Sequence, residues 1–179
     1  MQTPVTQKDH QSRLVPFIPR EERKSSFFQA PLLDALSGTD AIMLARGRIE
    51  GKIEGFGDWL RARNGHPLDP DNREVKSQLA GIAESLAEYH GFFGYQAPVH
   101  ELRAFFVKTA TEAIVENEMH KFSTRVDAFR SQGKEFGHLN LAADSVAKIY
   151  ATDVAAKLDS ALTGHVEAMA AAGTEAKVA

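Results

Sequence analysis

The sequence predicts an all-α fold, an antiparallel helical bundle of four main helices preceded by an extended N-terminal arm. Apolar residues recur at steps of three and four along four long stretches, the spacing that gathers them on one side of a helix. Strand-like alternation fails after a few positions. The segments between the stretches, about 5 to 8 residues each, are of the length that joins antiparallel helices. With 179 residues the chain has a one-domain length. It divides into an arm over residues 1–25, a bundle domain over 26–171 and an Ala-rich tail over 172–179 that frays.

The arm holds Pro4, Pro16 and Pro19 among polar residues, a pattern that favours extended chain over packed structure. Val15, Phe17 and Ile18 stand between and beside these prolines and suit docking along a groove. Five basic residues (Lys8, Arg13, Arg20, Arg23, Lys24) outnumber Asp9, Glu21 and Glu22. The weakly basic arm therefore precedes an acidic body, since the whole chain carries −3.

Ser25 or Ser26 can cap a short turn through Phe27, Phe28, Leu32, Leu33 and Leu36, ending at Gly38. A first long helix is then expected over about 40–64. Ile42, Ala45, Ile49, Ile53, Phe56 and Leu60 form its apolar stripe, and Asn64, Gly65 and Pro67 mark its stop. On its back Gly47, Gly51 and Gly55 stand four apart. Each mid-helix glycine costs about 1 kcal/mol relative to alanine, and a row without side chains lets another surface come close. The arginines, lysines and carboxylates of this helix alternate, as on a solvated face with mixed ion pairs.

Asp69 followed by Pro70 reads as a cap and first-turn proline for the second helix. Val75, Leu79, Ile82, Leu86 and Tyr89 or His90 form its stripe, with an end expected at Gly91. Glu84 and Glu88 point away from that stripe and into water. Phe92, Phe93 and Tyr95 in the turn GFFGYQAP are expected to plug one end of the bundle.

The central stretch, Pro98 to Gln132, organises the rest. At about 100° per residue, Leu102, Phe105, Phe106, Ala110 and Ala113 share one stripe, while Val115, Met119, Phe122, Val126 and Phe129 form another about 180° away. One straight helix cannot bury both against the same neighbour. No Pro or Gly interrupts residues 99–132, and such breakers are the usual cause of kinks. The favoured reading is one helix whose second stripe is covered by another body, such as another subunit. A last helix over about 140–171, capped by Asn140, carries Ala143, Ala147 and Ala151, then Val154, Leu158, Leu162 and Met169.

Composition and motifs exclude several functions. Without cysteine there is no disulfide framework, thiolate metal site or cysteine nucleophile. The first residues lack the apolar core of a signal peptide and no run reaches the roughly 18 apolar residues that span a bilayer, so a soluble, cytoplasmic protein without membrane contact is expected. GRIEGKIEGFG lacks the Lys-Ser/Thr ending of a phosphate loop, and no serine sits in Gly-x-Ser-x-Gly.

The expected function is a non-enzymatic interaction or assembly subunit that forms a homo-oligomer or joins a protein partner. Its interaction residues are Gly47, Gly51 and Gly55 together with Val115, Met119, Phe122, Val126 and Phe129. No catalytic residue, metal ligand or cofactor is assigned. One alternative is a ligand-, metal- or haem-binding bundle using His90, Glu116, His120 or His165. The Glu112, Glu116, His120 row is the nearest approach to a ligand set, since Glu-x-x-His, the di-metal signature, is missing. A second alternative is nucleic-acid association through the basic arm, which the net charge disfavours.

Overall fold

The computed structural model describes residues 38–63, 68–69, 71–94, 97–132 and 140–175. They form four α-helices: α1, Gly38–Ala62; α2, Arg73–Phe93; α3, Val99–Arg130; and α4, Asn140–Glu175. Among the described residues there is no strand. The expected arm, the turn through Phe27 and Leu36, and Tyr95 lie outside the described residues.

The stripe of α1 is buried as its spacing requires: Ala41, Ala45, Ile49, Ile53, Phe56 and Leu60 all lie inside. Asp40 falls in the first turn rather than before it, where its charge complements the helix dipole.

The start of α2 corrects the expected cap. Asp69 instead shapes the preceding turn, its carboxylate accepting from the Asp71 amide at 2.9 Å and its carbonyl from the Asn72 amide at 3.0 Å. Asn72 is the cap, its side-chain oxygen accepting from the Glu74 amide at 2.8 Å. The end is corrected too. The helix passes Gly91 and stops at Gly94, whose φ of 58° favours glycine and whose amide donates to the His90 carbonyl. The added turn buries Phe92 and Phe93, which meet edge to face with centroids 4.6 Å apart, while Phe93 also meets Tyr89 at 5.3 Å. Two buried aromatics outweigh one helical glycine, since burying each contributes about 1.5–3 kcal/mol against about 1 kcal/mol for the glycine.

α3 is a single unbroken helix of 32 residues. It packs on α1 and α4, and α2 packs on α4 and α1. Side-chain pairs give the directions. Arg46 reaches Glu101 and Arg61 reaches Glu116, each across 55 residues, so α1 and α3 run parallel. Lys52 donates to the buried Ser85 hydroxyl at 2.6 Å, and Arg63 to Glu74 at 3.1 Å, so α1 and α2 run antiparallel. Arg103 holds Asp159 through two hydrogen bonds, 3.1 and 2.7 Å, between α3 and α4. These half-exposed pairs set register more than stability, because exposed ion pairs contribute about 0–1 kcal/mol.

One polar group lies inside this core without a partner. Tyr89 is fully buried and its hydroxyl makes no hydrogen bond. Burial pushes the phenol's pKa up, opposed by Arg46 and reinforced by Glu101 and Glu50. A folded-state pKa above the unfolded value means that stability is fully present below about pH 10, the ordinary tyrosine value, and is lost as pH rises past it. Tyr89→Phe removes an unsatisfied buried group, so urea unfolding at pH 7 should show a gain of about 1 kcal/mol. The alkaline decline of stability above pH 10 should flatten in the same variant.

Candidate interaction site

Four helices surround the core over only part of the molecule. Its contiguous apolar cluster uses Leu102 to Ile114 on α3 and Ala151 to Leu162 on α4. α1 ends beside this limit, since Arg61 in its last turn donates to Glu116 at 2.6 Å. α2 begins there as well, because Glu74 in its first turn meets Arg63. Beyond Glu116, α3 continues for roughly 20 Å at about 1.5 Å per residue, and the first turns of α4 follow it in the chain.

The second stripe of α3 occupies this extension. Val115 is half-buried and packs against the core, and Met119 and Phe122 are half-buried outside it. Val126 is 6% exposed but stands apart from the main cluster, and Phe129 is 42% exposed. The displacement around the axis is therefore visible in the fold: the buried face runs from Leu102 to Asn117 and reappears half a turn away at Val126.

α4 carries a matching stripe that its Ala/Leu pattern concealed. Val146, Ile149 and Tyr150 are 65%, 73% and 38% exposed, facing away from the buried Ala147 and Ala151. Their spacing of three and four was readable in the sequence as a second face. Near the stripes Lys121 pairs with Glu118, Arg130 with Asp127 and Lys148 with Asp144, each within its own helix, while Arg125 is exposed.

Gly47, Gly51 and Gly55 are exposed, and an added Cβ at any of them meets nothing within 4 Å. Among the described residues no neighbour uses this ridge. The tight approach falls at Gly57, where a Cβ would lie 2.7 Å from Thr109 Cγ2. Gly57 stands four residues beyond Ile53, on the buried stripe.

Of the proposed ligand residues, Glu116 and His120 share one depression, and His90 and His165 do not line it. His90 is exposed, because Phe92 and Phe93 take the inward positions of the added turn, and His165 is only half-buried. Arg61, Glu116, Asn117 and His120 line an open depression of about 250 Å³. Its carboxylate is engaged by Arg61, whose guanidinium is held charged chiefly by that hydrogen bond. Among the described residues no group of three or more His, Cys, Asp or Glu side chains converges as a metal site. None of the described helices is long and apolar enough to cross a membrane.

No protein family, curated protein or solved structure matches the chain.

Proposed function

We propose that this chain is a non-enzymatic assembly subunit that binds another protein surface through the last turns of α3 and the first turns of α4. The observation that carries the reading is the exposure of Phe129 in the last turns of α3 and of Val146, Ile149 and Tyr150 in the first turns of α4. Large apolar side chains clustered outside a completed core are characteristic of protein-binding surfaces. Lys121, Arg130 and Lys148 are paired within their own helices, and the charges over residues 117–130 and 140–150 sum to +1, little net charge to recruit nucleic acid or an anionic lipid surface. The open ridge of Gly47, Gly51 and Gly55 supplies a second, flat face to the same reading, and the cysteine-free composition is compatible with the cytoplasm.

Photo-crosslinking in the native cell tests this directly. A photoreactive residue in place of Ile149 or Phe129 should give discrete protein adducts, whereas the same residue at the exposed Glu84 of α2 should give none. Equal labelling at all three positions counts against the reading.

A further inference from the structure

We draw no further inference here: the strongest candidate, the exposed apolar surface of Phe129 at the end of α3 and of Val146, Ile149 and Tyr150 at the start of α4, carries nothing beyond the association reading above, because nothing among the described residues shows what covers it.

Discussion

Replacing Phe106 by alanine should lower the unfolding free energy by about 3–5 kcal/mol, the range for emptying a large buried aromatic site. Phe106 is fully buried, stacks on Phe56 at 5.5 Å between centroids and sits where α3 crosses α1. Its removal takes a ring from the contact of two helices that cannot close the gap, since the ion pairs at Arg46–Glu101 and Arg61–Glu116 hold their register on both sides. Phe129→Ala is the internal control, the same residue type on the same helix but outside the core. Its loss in a protomer should stay within about 1 kcal/mol, as for surface substitutions. Urea unfolding at several protein concentrations separates the two. The Phe106→Ala loss should persist at every concentration, whereas any further Phe129→Ala loss should grow with concentration, as expected for a residue that stabilises through association.

That contrast also explains what could be read from the residues. The stripes of α1, α2 and the first half of α3 were legible because a helix in a small bundle buries one continuous side, and period alone identifies it. The half-turn displacement after Asn117 was legible for the same reason. What covers the second stripe was not, because periodicity says which side is apolar and never what stands opposite. The α4 stripe of Val146, Ile149 and Tyr150 has helical spacing too, but Ala147 and Ala151 make a complete face by themselves, and the expectation for this helix rests on that face alone. At α2 local rules competed. Asp69–Pro70 satisfies the local rule for a start, but the Asp69 carboxylate is used in the preceding turn and the Asn72 side chain accepts from the Glu74 amide, which sets the start later. At its far end Gly91 looked like a stop until the burial of Phe92 and Phe93 carried the helix one turn further.

Gly57 shows most clearly where spacing misleads, and it yields the second large effect. Five glycines fall in α1, and the regular row at 47, 51 and 55 draws the eye, yet a Cβ at those three meets nothing within 4 Å, whereas a Cβ at Gly57 would lie 2.7 Å from Thr109 Cγ2, inside contact distance. Gly57→Leu should therefore destabilise by about 3 kcal/mol or more, the upper range for overpacking a closed helix contact. Thr109 is buried and β-branched, so its χ1 has little freedom in which to retreat. Gly57→Ala sets a gain in helix propensity of about 1 kcal/mol against an overpacking cost of about 1–3 kcal/mol, and a net loss is expected. Thr109→Ser deletes the methyl that a new Cβ would strike and keeps the hydroxyl. In the Gly57→Ala, Thr109→Ser double variant the loss should largely disappear, a coupling of about 1–2 kcal/mol between residues in contact. Gly51→Ala, with nothing within 4 Å of its Cβ, should instead gain up to about 1 kcal/mol. Opposite signs at two glycines six residues apart on one helix, read by chemical unfolding, would establish that α1 meets α3 at Gly57 and leaves its regular glycine row open.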